Sequence, residues 1–259
     1  MNGSAGVMAL VLAETVAGAA ALLWLTPLWG EVKRGFFKLT TAILVMLALA
    51  TWWAAHAGLT RGDRAGELSV RLALLTLAVV ALGTLLLFAK QETAGRVVGL
   101  LSIPVAVAVL GAMAGTGRQA WALGFFQLLA GAFFLGSVVD GLLLGHWYLT
   151  DRGLPRLPIN RATNLMLIAV AVEAVAVISG GFTGTGASQA VNPLLTAGAL
   201  APWIALGMVG TTALIAALTR AALKGERASA VQSATGFYYL AVVTAFTAEL
   251  AVKTRFLAG

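Results

Sequence analysis

The chain has 259 residues, of which 60% are hydrophobic and only 10% are charged, and its net charge is +7. A soluble domain carries about 25% charged residues and cannot hide this much apolar surface in one core, so the composition excludes a soluble enzyme, a disordered chain and a disulfide scaffold. The basic residues stand in short runs between apolar stretches. That pattern is typical of membrane flanks, and no nucleic-acid partner is expected.

Eight apolar stretches are long enough to cross a bilayer, whose core of about 30 Å needs about 20 residues of helix. They lie at 7–29, 38–57, 71–89, 97–115, 121–149, 163–181, 198–219 and 233–252. They lack the polar alternation of barrel strands, and backbone groups in lipid must be satisfied within a helix. The sequence therefore predicts an all-α integral membrane protein, a polytopic bundle of about eight transmembrane helices that forms one transmembrane domain over residues 1–259.

The two halves of the chain, 1–120 and 121–259, show a weak similarity. Residues 38–50 can be aligned with residues 160–172. Four helices return a chain to its starting side, so such halves would be two parallel four-helix repeats. Sequences rich in Ala, Leu and Val also match by chance, and a bundle without an internal repeat stays an open alternative.

The distribution of Lys and Arg predicts the orientation of the chain. Eleven fall on one side of the predicted membrane: Lys33, Arg34, Lys38, Lys90, Arg96, Arg152, Arg156, Arg161, Arg220, Lys224 and Arg227. Six fall on the other side: Arg61, Arg64, Arg71, Arg118, Lys253 and Arg255. The positive-inside rule puts the larger set in the cytoplasm. We therefore expect a multi-pass protein of a bacterial-type inner (plasma) membrane with both termini outside.

Four acidic residues fall within the apolar stretches: Glu14, Asp140, Glu173 and Glu249. A charge at the bilayer centre costs about 2.5–3.5 kcal/mol even on lenient scales, and we expect no Lys or Arg deep enough to neutralise one. Glu173, Asp140 and Glu14 are therefore candidate proton or ion sites. The alternative is that each is a neutral acid that hydrogen-bonds between helices. Glu249 and Lys253 are four residues apart and are expected to pair at the membrane rim.

The stretch DGLLLGHWYLTDRGLPRLP, which begins at Asp140, gathers several chemical groups at the inner end of the fifth span. Gly141 and Gly145 permit a close helix approach. His146 and Tyr148 add a base and a phenol, so they join Asp140 as candidate proton, ion or quinone ligands. The alternative is a packed helix end with aromatic anchors. A quinone or a lipid would suit this rim, but the cofactor is not fixed by the residues.

The chain has no cysteine, which excludes iron–sulfur ligation and covalent haem attachment through Cys. Its only histidines are His56 and His146. The helix directions place them at opposite faces of the membrane, so they are not expected to ligate one haem. A haem held by a single histidine stays open, and no metal-binding motif appears.

Two functions from different classes fit these residues. The first is a membrane-embedded subunit of a larger energy-transducing or redox complex, which contributes a quinone or lipid site or a proton path. Its partners would be the lipid bilayer and other membrane or peripheral subunits. The alternative is a stand-alone proton- or cation-coupled transporter that uses the buried acids, and an acid cluster around a water-filled cavity would favour it. Catalysis by the chain alone is the least favoured function.

The predicted orientation can be tested with reporter fusions at the two ends of the chain. Because the basic residues divide eleven to six, a reporter that is active only outside the cytoplasm should give a signal at both ends. A cytoplasmic signal from either end would show that the number of spans or the orientation is wrong.

Overall fold

The computed structural model describes residues 3–59, 63–117, 119–151, 153–182, 200–225 and 229–256. Its helices are α1 (Gly3–Leu25), α2 (Leu28–Glu31), α3 (Arg34–Gly58), α4 (Arg64–Phe88), α5 (Glu92–Ala114), α6 (Trp121–Thr150), α7 (Leu157–Ser179), α8 (Leu200–Leu223) and α9 (Ser229–Lys253), followed by a 3₁₀ turn at Thr254–Phe256. All except α2 are long and apolar enough to cross a membrane. These eight helices confirm the predicted polytopic all-α bundle.

Prolines explain two differences between the predicted and observed helix ends. The first span was predicted to reach residue 29, but α1 ends at Leu25 because Pro27 has no N–H to continue the helix. The hydroxyl of Thr26 donates instead to the carbonyl of Leu22 at 2.6 Å. The sixth span was predicted to begin at 163, but α7 begins at Leu157, since Pro158 lies in the first turn, where no N–H is needed.

The helices pack in the same order in both halves of the chain. In the first half α1 packs on α3, α3 on α4 and α4 on α5, and α5 returns to α1. In the second half α6, α7, α8 and α9 follow one another in the same way, and α9 returns to α6. The two rings meet where α1 packs against α6. This order is what a four-plus-four repeat would produce, and the repeat itself stays a prediction.

Small residues allow α1 and α6 to approach closely. A Cβ atom on Gly18 would lie 1.7 Å from the carbonyl oxygen of Ala132, and one on Gly136 would lie 2.3 Å from the carbonyl carbon of Gly18. Without a hydrophobic force between helices in lipid, such close backbone contact is a main source of helix association. As a result α1 is the most enclosed of the eight spans, and its polar side chains face protein rather than lipid.

The predicted close approach at Gly141 and Gly145 is also found, and its partner is α9. A Cβ on Gly141 would lie 2.0 Å from the ring of Tyr238, and one on Gly145 would lie 2.6 Å from the hydroxyl of Thr235. The two glycines therefore form the surface on which α9 rests. This contact holds α9 against α6 at Thr235 and Tyr238.

Ion pairs join the helix ends on the face opposite the termini. They are Lys33–Asp151 at 2.9 Å, Arg34–Glu92 and Arg161–Glu31. Exposed pairs of this kind contribute about 0–1 kcal/mol each. Eight crossings put Gly3 and Phe256 on one side, and which side that is stays a prediction. Arg61, Arg118, Arg152 and Arg227, which entered the charge count, lie outside the described residues.

The α1–α6 contact predicts which glycines are essential. Gly136→Ala should destabilise the protein by at least the ~1–3 kcal/mol typical of overpacking, because the new methyl group meets the backbone of α1. Gly207→Ala is the matched control, since nothing lies within 4 Å of its Cβ position. Thermal unfolding in detergent measures both variants. Equal melting temperatures would contradict the close helix contact.

Candidate functional site

Four ionisable side chains meet inside the bundle, and we call them the carboxylate–lysine cluster: Glu14 of α1, Glu173 of α7, and Glu249 and Lys253 of α9. Each is at most 1% exposed. The Nζ atom of Lys253 lies 2.7 Å from Oε1 of Glu14 and 2.7 Å from Oε2 of Glu249. Glu173 interacts electrostatically with the other three, and its carboxyl group is within hydrogen-bonding reach of that of Glu249.

Helix α6 makes the space in which the cluster fits. The backbone carbonyl of Gln127 accepts a hydrogen bond from Lys253 at 3.4 Å. One turn later, a Cβ atom on Gly131 would lie 2.5 Å from Oε1 of Glu14 and 3.0 Å from Oε2 of Glu249. Glycine at this position therefore leaves room for the two carboxylates, and any larger residue would push them apart.

A hydrogen-bonded line of glutamines leads from the cluster toward the end of the bundle that holds the termini. The side-chain amide of Gln127 donates to the carbonyl of Ala176 at 3.2 Å, less than one turn from Glu173 on α7. Its oxygen accepts from Nε2 of Gln119 at 2.8 Å. Gln119 is only half-buried, so the two polar side chains lie between the surroundings of the cluster and the rim of the bundle.

The expected pair of Glu249 and Lys253 is formed but is enclosed by protein, and the expectation that no Lys or Arg neutralises a buried acid is wrong, because Lys253 also pairs with Glu14. Both side chains are fully buried. The 3₁₀ turn that follows α9 is buried as well, since the ring of Phe256 packs against Gly117 and Gly124. Distance along the helix placed Lys253 at the surface, whereas its side chain is enclosed by protein.

The cluster has more acids than bases. Three carboxyl groups surround one ammonium group, so full ionisation would leave two negative charges uncompensated. Oε2 of Glu14, Oε2 of Glu173 and Oε1 of Glu249 face no hydrogen-bond donor among the described residues. An uncompensated charge in such a site costs several kcal/mol. The arrangement can therefore take up a proton, and the described residues hold no group of three His, Asp or Glu placed to bind a metal ion.

Asp140 lies in a different place, beside a partly open cavity of about 430 Å³ between the end of α1, α2, α6 and the start of α7. Asp140 is 5% exposed, and neither carboxylate oxygen has a partner in the described structure. The walls are mostly apolar: Leu22, Leu25, Pro27, Leu28, Leu144, Pro158, Ala162 and Leu165. Asp140 is nine residues beyond Gly131 on α6, about 13 Å along the helix, so the cavity and the cluster are separate.

His146 and Tyr148 do not join Asp140 at this cavity. Nε2 of His146 hydrogen-bonds to the hydroxyl of Tyr239 on α9. The hydroxyl of Tyr148 donates to the carbonyl of Pro155 at 2.5 Å and fixes the connection between α6 and α7. Neither residue lines the cavity. The structure thus brings together two of the five candidates, Glu14 and Glu173, and leaves the other three apart.

The two histidines lie at opposite ends of the bundle, as their helix directions indicated. Trp147, next to His146, contacts the start of α3, where a Cβ on Gly35 would lie 2.5 Å from its ring. His56 lies twenty-one residues beyond Gly35 on the same helix, which is about 30 Å by the helical rise. One haem cannot span that distance.

Comparison of the chain with protein-family models, with curated proteins and with solved structures gives no match. The site is therefore assigned from geometry alone. Sequence reasoning missed Glu249 and Lys253 as members of the site, and it assigned no role there to Gln127 or Gly131. The sequence did contain a pattern that pointed to these residues. Gln127 and Gly131 are four residues apart and share one face of α6, as Glu249 and Lys253 do on α9.

Removal of the only cation in the cluster should destabilise the protein. Lys253→Met leaves buried carboxylates without a partner, and breaking such a buried pair typically costs about 3–5 kcal/mol. Lys224→Met removes an exposed lysine and should change little. The measurement is thermal unfolding in mild detergent. If the two variants unfold at the same temperature, Lys253 does not hold the cluster.

Proposed function

We propose that this polytopic membrane protein is a stand-alone proton-coupled transporter and that the carboxylate–lysine cluster binds and releases the coupling proton. The observation that carries the proposal is the group of three buried carboxyls around one buried lysine. Ionisable residues inside a membrane bundle commonly mark a substrate or proton pathway. The sequence favoured a complex subunit, and the gathering of the acids is the reason to prefer its alternative.

The four residues have different roles in the proposal. Lys253 is a fixed positive charge that pairs with Glu14 and Glu249 at 2.7 Å. Glu173 makes no ion pair within 4 Å in the described structure, so it is the acid that most needs a proton to remain buried. Because the carboxyls interact, they titrate together and the bound proton is shared within the cluster. Glu173 is the residue through which the proton enters and leaves.

The proton has a route on one side of the membrane. Gln119 and Gln127 are hydrogen-bonded to each other on the way from the half-buried rim toward the cluster, and the backbone carbonyl of Gln127 accepts from Lys253. On the other side the cavity beside Asp140 reaches into the bundle. Movement of the two four-helix rings about the α1–α6 contact would expose the cluster first to one side and then to the other. Rocking of one half against the other is the usual form of alternating access.

The second candidate is the subunit of an energy-transducing or redox complex. The cavity beside Asp140 favours it, because about 430 Å³ with mostly apolar walls would accept a quinone ring or a lipid group. In that case the cluster would be part of a proton path. Purification in mild detergent separates the two candidates: a transporter is expected alone, and a subunit is expected with other chains.

Glu173→Gln tests the proton role directly. The variant keeps the shape and hydrogen bonding of the side chain but cannot release a proton, so proton uptake into proteoliposomes that contain a pH-sensitive dye should fall at least tenfold. Stability should change by only about 0.6 kcal/mol, the average for interhelical hydrogen bonds in membranes.

Glu67→Gln is the matched control, since Glu67 is an exposed acid paired with Arg71 on the surface of α4. It should keep the uptake of the unmodified protein. If Glu173→Gln also keeps full uptake, Glu173 is a structural hydrogen-bonding residue and carries no proton.

A further inference from the structure

The cavity on the face opposite the termini is lined by both apolar and charged side chains. Most of its lining is hydrocarbon, but Asp140 and Glu31 also face it, together with Arg161. Arg161 pairs with Glu31. The charged lining therefore has one more acid than base, and the extra acid is Asp140.

The buried polar atoms that lack partners around the cavity are all acceptors. Neither oxygen of Asp140 has a donor, and Oε2 of Glu31 has none, within the part of the chain that the structure describes. Burial without a partner is costly for a carboxylate. A ligand that brings hydrogen-bond donors and positive charge would satisfy these atoms.

The hydroxyl groups around the cavity are already engaged. The hydroxyl of Thr26 donates to the carbonyl of Leu22 at 2.6 Å, and that of Ser137 donates to the carbonyl of Phe134 at 2.8 Å. The other lining donors are the exposed amide of Asn164 and the guanidinium of Arg161, which pairs with Glu31. The buried polar atoms without partners are thus complementary to a ligand that donates.

We propose that this cavity binds an organic ammonium ion with an apolar body, whose N–H groups donate to Asp140. The volume of about 430 Å³ is in the range of small-molecule sites, in which apolar walls hold the ligand and a few polar groups orient it. The ammonium group lies against Asp140, and the apolar body lies between the ends of α1 and α7. Such a ligand is also the class of substrate that a transporter with this cavity would carry.

A matched pair of probes tests the proposal on the intact protein in detergent. 1-Adamantylamine is cationic at neutral pH, and 1-adamantanol has the same apolar cage without the charge; duroquinone represents a neutral acceptor. Calorimetry should give saturable binding of the amine at one site per chain, with adamantanol and duroquinone at least tenfold weaker. Equal binding of adamantanol or tighter binding of duroquinone would overturn the proposal.

Two variants locate the binding site. Asp140→Asn should weaken amine binding about tenfold or more, the effect of losing one charge-assisted hydrogen bond, and should leave adamantanol binding unchanged. Glu67→Gln removes a surface acid far from the cavity and should leave the amine affinity unchanged. Unaltered amine binding by Asp140→Asn would contradict the assignment.

Ala162→Leu provides a second variant that does not depend on the folding of Asp140→Asn. Ala162 lines the cavity, so a larger side chain should reduce amine binding by filling the space, and unchanged binding would place the amine elsewhere. The ammonium could belong to a free amine or to a lipid headgroup. Competition by phosphatidylethanolamine, with phosphatidylglycerol as the control, would assign it to a lipid, and its absence would assign it to a free amine.

Discussion

The ion pairs that Lys253 makes with Glu14 and Glu249 are the interaction on which the rest of the structure depends. They join the first span to the last and set a full positive charge inside the bundle. Such a charge is tolerable only with partners at hydrogen-bonding distance. The packing allows these partners to come together, because Gly131 leaves room for the carboxylates. The buried ring of Phe256 packs just beyond the end of α9.

The arrangement leaves carboxyl groups without a basic partner in two separate places in the bundle. In the cluster two acids pair with Lys253 and Glu173 has no cation of its own. In the cavity Arg161 pairs with Glu31 and Asp140 is left over. The excess of carboxyl groups in the cluster favours a proton because the cluster is enclosed, and Asp140 favours a larger cation because it faces open volume. The proposed proton site and the proposed organic-cation site would together supply the two parts that a coupled transporter requires.

Hydropathy predicted the eight spans because the length and composition of a membrane helix are local properties of the chain. The close contact at Gly141 and Gly145 was also predicted, because two glycines four residues apart are a local sequence pattern. Prediction was weaker where several helices must be placed together. Glu14 and Glu173 were identified as buried acids, but their meeting with Lys253 depends on helix rotation and on the turn after α9, which no single stretch encodes.

Prediction from the sequence was limited in the same way for the residues around the cavity. Asp140 was a candidate because an acid in an apolar stretch is costly, and the sequence joined it to His146 and Tyr148 because they are neighbours along the chain. In the bundle α6 points these side chains to different partners. Helix α1 ends before Pro27, which lines the cavity. The sequence did not predict this helix end, because apolar residues on both sides of the proline resemble one continuous span.

Infrared spectroscopy of the purified protein tests the central claim, that the cluster holds an exchangeable proton beside a charged lysine. In an Asp140→Asn background, so that the cavity carboxyl does not contribute, we expect a carbonyl stretching band from a protonated buried carboxyl group. That band should weaken as the pH is raised and be lost when Glu173→Gln is added. A spectrum with no such band, or one that Glu173→Gln leaves unchanged, would contradict it.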